Sequence, residues 1–264
     1  MSFPAEWYEQ EMVPALFAPW AALLMRAADA RPGERVLDVA CGTGIVARRI
    51  APCVGSQGAV TGLDANPDML RVAEAAARRE DHAIEWRLGQ AEMLPFPDGS
   101  FDLIVCQFGL MLFRDRHAAL AEMHRALRVG GRVALSVWQG LERHPFYQAL
   151  HDESLRRLGV SGVGQAFSLG DAAELRGLLV EAGFQQVELE SASITARFAH
   201  PEALLAWELD VDPASAPALQ SLDAAARQAI MDTLRQDMQA PLRAALWGDQ
   251  AVLPFHAHIA RARR

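Results

Sequence analysis

Val36-Leu-Asp-Val-Ala-Cys-Gly-Thr-Gly44 opens as a short β-rich run and closes as a glycine turn, and the helical stretch Ile45–Ala51 follows at once. Strand, Gly-x-Gly turn and helix in that order form the first half of a βαβ unit. The same texture repeats outward from it. Ala59–Leu63 reads as the next strand and Pro67–Arg79 as the next helix. Ile84–Leu88 and Phe101–Cys106 read as a third and a fourth strand, the latter after a turn at Pro97-Asp-Gly-Ser100. Arg114–Arg128 carries Leu120, Met123 and Leu127 on one helical face, Gly130-Gly131 ends it, and Arg132–Trp138 returns as a fifth strand. Strands alternating with helices predict an α/β fold, a doubly wound and mostly parallel sheet covered on both faces.

Beyond Trp138 the pattern loosens. Asp171–Ala182 reads as a helix, Phe184–Glu190 as a strand, Pro201–Trp207 and Leu222–Ala245 as helices, and Phe255–Arg261 as a final strand. The expected organisation is one domain: an N-terminal helical lid over 1–34, the α/β core over 35–190, a helical substrate cap inserted at 191–253, and the last strand at 254–264. Both helical parts are expected to roof the ligand end of the sheet, where open α/β folds place their sites.

Composition narrows the chemistry. With 51% hydrophobic residues the 264-residue chain can bury a sizeable core. Its 33 acids against 25 bases give a net charge of −8, which opposes a nucleic-acid partner held by a general positive field. All 25 basic residues are Arg; the absence of Lys excludes Schiff-base catalysis, pyridoxal-phosphate enzymes and the phosphate-binding lysine of P-loops. Cys41, Cys53 and Cys106 fit neither a disulfide framework nor a paired metal or redox motif, so a reducing cytoplasm is the expected setting. The opening residues lack the basic start of a secretory signal, and the apolar run Val13–Met25 holds Pro14 and Pro19 and is too short to span a bilayer.

The glycine turn also satisfies a dinucleotide fingerprint, as Gly42-Thr-Gly44-Ile-Val-Ala47, with Asp64 twenty-two residues after Gly42 to take ribose hydroxyls. Asp38 discriminates. A pyrophosphate at the helix N-terminus would be repelled by a carboxylate beside it, whereas a ligand with an ammonium group would be attracted. S-adenosylmethionine (SAM) has both a ribose for Asp64 and an amino-acid end for the neighbourhood of Asp38.

Five stretches in order then resemble the class I SAM-dependent methyltransferases, in the branch similar to ubiquinone/menaquinone C-methylases: residues 36–44, Gly62-Leu-Asp-Ala-Asn-Pro-Asp-Met-Leu70, Gly89-Gln-Ala-Glu-Met-Leu-Pro-Phe96, Asp98-Gly-Ser-Phe-Asp-Leu-Ile-Val-Cys106 and Leu127-Arg-Val-Gly-Gly-Arg-Val133. The resemblance implies a Rossmann-like sheet of seven strands with only the last antiparallel. It also implies that Ala40, Gly42 and Gly44 lie under the methionyl and ribose parts of SAM. By the same likeness Asp64 takes the ribose hydroxyls, Ala65 and Met69 flank the adenine, Gln90 meets its amino group, and the Ala91 amide meets a ring nitrogen. Glu92 and Cys106 are counted among the contacts. Gln90 stands where the family usually has Asp, so its oxygen accepts without charge assistance. Ala40 replaces a more usual Gly, which suits a backbone whose φ is not positive.

Methyl transfer from a sulfonium asks mainly for alignment and a water-poor pocket, so no catalytic residue is demanded by sequence. Phe108 reads either as an aromatic face for the sulfonium or as core packing. Tyr8 is either a lid residue at the ligand or surface packing, and His144 either a general base beyond the fifth strand or a loop histidine. Trp20 reads as a core anchor of the lid. His117 with His124, and His256 with His258, share faces but lack a third ligand, so no metal is expected. Cys41 is a small packing residue, and Arg48-Arg49 a solvated helix face. The expected activity is methylation of a small, partly hydrophobic metabolite, leaving S-adenosylhomocysteine (SAH); a homodimer is compatible with it. Two alternatives stand beside it: a non-catalytic SAM/SAH-binding scaffold and an NAD(P)-dependent oxidoreductase.

Overall fold

The computed structural model describes residues 5–211 and 222–264. Its sheet is built on β1 (Arg35–Val39), whose Val36, Leu37, Asp38 and Val39 are buried. Burial on both faces follows from its neighbours, since β2 (Ala59–Asp64) pairs parallel on one side and β4 (Phe101–Gln107) on the other. With β3 (Glu85–Leu88), β5 (Leu127–Trp138), β6 (Gln185–Phe198) and β8 (Gln250–Arg263), the order is β3-β2-β1-β4-β5-β8-β6. The two-residue β7 (Leu246–Trp247) pairs with β8 off this path. Strands β1 to β5 run parallel, while β8 lies antiparallel between β5 and β6. The order reverses between β1 and β4, so the crevice of the fold opens at their carboxyl ends.

The N-terminal segment winds as Ala5–Trp7, a wide π-type helix Tyr8–Phe17 and α1 (Ala18–Ala28). Then come α2 (Ile45–Val54), α3 (Pro67–Arg79), α4 (Arg116–Ala126), α5 (Pro145–Leu158), α6 (Gly162–Ala166), α7 (Ala172–Glu181), α8 (Pro201–Val211), α9 (Ala224–Asp237) and α10 (Gln239–Ala244). Local chemistry starts several of them. Asn66 accepts from the Asp68 amide at 2.9 Å with Pro67 at the first helical position, and Asp115, Asp171 and Asp223 cap α4, α7 and α9 in the same way.

The N-terminal lid is part of the core. Trp20 is fully buried and packs edge-on against Phe108 and Trp138, each at 5.6 Å between ring centroids. Arg48, expected on a solvated face, is instead buried, donating to Glu9 of the lid at 2.7 Å and to Glu80 at 2.8 Å. A guanidinium with two carboxylate partners is tolerated inside where a lone one is not.

Two boundaries differ from expectation. The helix read through Arg128 ends at Ala126, because Leu127 turns extended and enters β5. The cap read over 191–253 is shorter, since β6 continues to Phe198 and β8 begins at Gln250, paired from Glu188↔Arg261 to Phe198↔Ala251. Ser191-Ala-Ser-Ile-Thr-Ala-Arg197 alternates polar and apolar side chains, and the apolar ones are the more buried, the pattern of a half-buried strand that its β8 partner completes.

Gly44 begins α2 at φ 82°, and a Cβ there would lie 2.4 Å from the Trp86 ring. Left-handed strain and overpacking together predict that Gly44→Ala loses about 2–3 kcal/mol. A lowered urea midpoint is the expected result; an unchanged one would mean that Trp86 and the turn relax freely.

Candidate active site

Two carboxylates hold the glycine turn from below. Asp38 at the end of β1 accepts from the Ala47 amide in the first turn of α2 at 3.0 Å. Asp64 at the end of β2 accepts from the Gly42 amide and from the Asn66 amide, both at 2.8 Å, one on each oxygen. Ala40 enters the turn at φ 56° and Phe108 leaves β4 at φ 55°. The Ala40 expectation is thus overturned: its backbone is left-handed, a conformation that normally favours Gly. Its methyl fills the space beside Gly109, where an added Cβ would come within 2.8 Å of it. Strained backbone at the ends of two adjacent strands is the kind of cost that folds carry at functional sites.

Across these strand ends runs a cavity of about 820 Å³. At the β2–β3 end it is lined by Asp64, Ala65, Met69, Gln90, Ala91 and Glu92. At the β5–β8 end it is lined by Trp138, Tyr147, Phe167, Trp207, Glu208 and Phe255, with Tyr8, Phe17, Ala40, Gly42 and Phe108 also on the wall. Tyr8 packs on Phe17 at 5.0 Å and on Trp207 at 6.2 Å, joining the N-terminal lid to α8. Burial, with Asp64 and Glu9 nearby, holds its phenol well above the usual range, so Tyr8 stays protonated. Phe108 gives one face to Trp138, stacked at 3.5 Å, which leaves only its remaining surface for a ligand.

Beside the glycine turn a smaller pocket of about 30 Å³ is lined by Asp38, Thr43 and Gln107. Asp38 Oδ1, Thr43 Oγ1 and Gln107 Oε1 are buried there without a hydrogen-bond partner among the described residues. Three oxygens able to accept, one of them a carboxyl, complement a group with several N–H donors and positive charge. Asp64 keeps acceptor capacity beyond its two amides, as ribose hydroxyls require. The residues therefore fit the ammonium and ribose of SAM.

Several expectations need correction. Burial pushes the Asp38 carboxyl up to about 8, so the charge on which the exclusion of a pyrophosphate rested is mostly absent at neutral pH until a cation arrives. Gly44 faces Trp86 rather than the cavity, and its glycine is required by φ and by that ring. Cys106 is fully buried in the sheet and does not line the cavity; burial pushes its thiol up to about 12, and that of Cys41 well above the ordinary range. His144 is no base. Nδ1 lies 3.0 Å from the Gly140 carbonyl oxygen and Nε2 accepts from the His256 amide at 2.9 Å, so both nitrogens are spent on structure. Desolvation lowers its pKa as well. Glu92 ties the β3 loop to the next one by accepting from the Arg114 amide at 2.9 Å.

Sequence reading passed over Thr43, Gln107, Trp138, Tyr147, Phe167, Trp207 and Glu208. One signal was present: the chain has two tyrosines, and both line this cavity. Among the described residues no cluster of His, Cys, Asp and Glu could hold a metal, and no helix is long and apolar enough to cross a membrane.

A model of the ubiE/COQ5 methyltransferase family matches residues 13–154, more than half of the chain. The chain belongs to that family. It is a SAM-dependent methyltransferase of a small molecule. The ubiquinone/menaquinone biosynthesis C-methyltransferase UbiE of Cupriavidus metallidurans is 36% identical over 183 residues, covering 64% of this chain and 74% of that one. The YcgJ protein of Bacillus subtilis shares the fold at a TM-score of 0.62 and 19% identity, covering 92% and 97% of the two chains. Phosphoethanolamine N-methyltransferase 2 of Haemonchus contortus, solved with S-adenosyl-L-methionine, shares it at 0.56 and 20%, over 92% of this chain and 51% of that one.

Asp38 makes stability pH-dependent in a definite direction. Its folded value near 8 lies above the ordinary 3.8, so the stability drawn from its neutral form is complete below about pH 4 and is lost as pH rises through 8. Melting temperatures of the ligand-free protein from pH 5 to 9 are expected to fall more steeply for wild type than for Asp38→Asn; parallel curves would remove Asp38 as the cause. His144→Leu orphans the His256 amide and should cost about 1–3 kcal/mol while SAH affinity holds. Selective loss of SAH binding at full stability would return His144 to the site.

Proposed function

We propose that the cavity takes SAM along the β1–β3 strand ends and the methyl acceptor under the lids at the β5–β8 end, within one catalytic unit. The observation that carries this reading is the set of three unpartnered buried oxygens beside the glycine turn, continuous in the fold with Asp64. In it, Asp38, Thr43 and Gln107 receive the ammonium, and Ala40 and Gly42 leave room above the turn. Asp64 takes the ribose hydroxyls, and Ala65, Met69, Gln90, Ala91 and Glu92 surround the adenine. Bound SAM supplies a methyl group on a sulfonium, already activated for in-line displacement.

The protein's part is then positioning and exclusion of water. Tyr8, protonated and packed on Phe17 and Trp207, closes the N-terminal lid over the turn and can donate a hydrogen bond but not remove a proton. Glu9 on Arg48 and Glu6 on Arg71, each at 2.7 Å, hold that lid down. Phe108, backed by Trp138, offers its open surface to positive charge. The acceptor is a small, partly hydrophobic metabolite, since the β5–β8 end is walled by aromatic and aliphatic side chains. A negative net charge disfavours nucleic acid as acceptor, and a reducing cytoplasm suits the free cysteines. The UbiE relative is named as a C-methyltransferase of ubiquinone/menaquinone biosynthesis, which makes carbon the first position to test here.

Titration calorimetry of the ligand-stripped protein with SAH, and separately with NADH, tests the reading. SAH should bind and NADH should not. Asp64→Asn, which keeps an oxygen for one amide but loses the charge, should weaken SAH by roughly tenfold or more. Equal SAH affinity in that variant would displace the ribose from Asp64, and NADH binding without SAH would replace the cofactor.

A further inference from the structure

We infer that Gln107 couples the N-terminal lid to the cofactor: an ammonium group in the small pocket fastens the lid, and a fastened lid completes the pocket. The inference rests on reading that pocket, beside the glycine turn, as the seat of the cofactor's amino-acid end.

Gln107 ends β4, and its side chain serves two segments. Nε2 donates at 3.1 Å to the carbonyl oxygen of Phe17, the last residue of the wide helix Tyr8–Phe17. A carbonyl only accepts, so the amide must turn its NH2 to the lid and its oxygen elsewhere. That oxygen is buried without a hydrogen-bond partner, as are Asp38 Oδ1 and Thr43 Oγ1, and all three residues line the small pocket. Tyr8 and Phe17 wall both this pocket of about 30 Å³ and the cavity of about 820 Å³. A Cβ on Gly42 would stand 3.9 Å from the Tyr8 hydroxyl, so the lid lies directly over the turn. An amino-acid chain reaching from the cavity into the pocket passes under these rings, and its exchange asks the lid to part.

The two ends of one amide link these events. With the pocket empty, fastening Nε2 to Phe17 shuts Oε1 away from water with no donor, and a buried acceptor left unsatisfied is costly. A parted lid frees the side chain to turn to solvent, which removes that cost. An ammonium group brings the missing donor to Oε1 and so favours the closed lid over the parted one. By linkage, the closed lid raises the affinity for the ammonium by the same factor. The other lid fastenings lack this property. Glu9 on Arg48 and Glu6 on Arg71 reach α2 and α3, and they hold the lid whether or not the pocket is filled.

The test is amide hydrogen exchange of residues 8–17 in the full chain, free and saturated with either of two ligands. SAH carries the amino-acid end; 5′-methylthioadenosine is the same nucleoside thioether without it. In wild type, SAH should slow lid exchange roughly tenfold or more, while methylthioadenosine leaves it within about threefold of the free rate. Gln107→Glu keeps an acceptor for the ammonium but has no N–H for Phe17, and Gln107→Leu has neither. At saturating SAH, lid exchange in both variants should stay within about threefold of their own free rates. Equal protection by the two ligands in wild type, a wild-type lid that SAH leaves unchanged, or full SAH protection in Gln107→Glu overturns the coupling. The variant arm uses SAH alone, so it decides even where methylthioadenosine binds too weakly to saturate. Failure of wild type to take up SAH in the preparatory calorimetry overturns instead the SAM reading beneath it.

Discussion

The site depends on two carboxylates that pin a glycine turn to the sheet. Asp64 bonds the Gly42 amide across from the neighbouring strand, and Asp38 bonds the Ala47 amide inside α2. Each spends part of its accepting capacity on the backbone and keeps part in reserve. That division lets a buried acid serve as both scaffold and ligand group. The reserve is costly in the absence of ligand, because a buried carboxyl without a full set of donors gives up its charge, as Asp38 does. The left-handed Ala40 and Phe108 add backbone strain at the ends of the two strands that flank the switch point. Packing of the surrounding core compensates for both.

That compensation comes largely from aromatic side chains shared between sheet and lids. Trp20 from α1, Phe108 just after β4, Trp138 from β5 and Phe255 from β8 form a continuous ring network. His144 joins it by packing on Phe167 at 4.6 Å and by bonding the His256 backbone. The same network walls the acceptor end of the cavity. Stability and acceptor shape are therefore set by the same residues, Tyr147 included, whose ring packs on Phe167 and Phe255 while its hydroxyl bonds Glu208. The lid is held differently, by Glu9 on the buried Arg48, an ion pair whose loss would leave a charge inside.

Much of the fold was legible because β1, β2 and β4 are short, largely apolar and buried, and the elements are punctuated by Gly, Pro and capping Asp or Asn. The cofactor-binding pattern was legible for the same reason: a glycine turn and an acid at a strand end are local features. Illegible were the properties that arise from distant partners. Nothing in Arg48-Arg49 marks the first as buried between Glu9 and Glu80. His144 reads as a loop histidine or a base until β8 brings the His256 amide to its Nε2. Gly44 owes its lack of a side chain to Trp86 on β3 rather than to a ligand.

The amino-acid sequence by itself determined the doubly wound sheet, the position of the glycine turn and the pairing of Asp38 with Asp64 as the acids beside it, because periodicity, caps and turn residues act within a few positions. Tertiary structure decided which oxygens remain unpartnered, that Asp38 is neutral without a cation, and that Tyr147 meets Glu208 across 61 residues. Those outcomes depend on desolvation and on contacts between segments far apart in the chain, and burial is a property of the assembled layers rather than of any stretch within them.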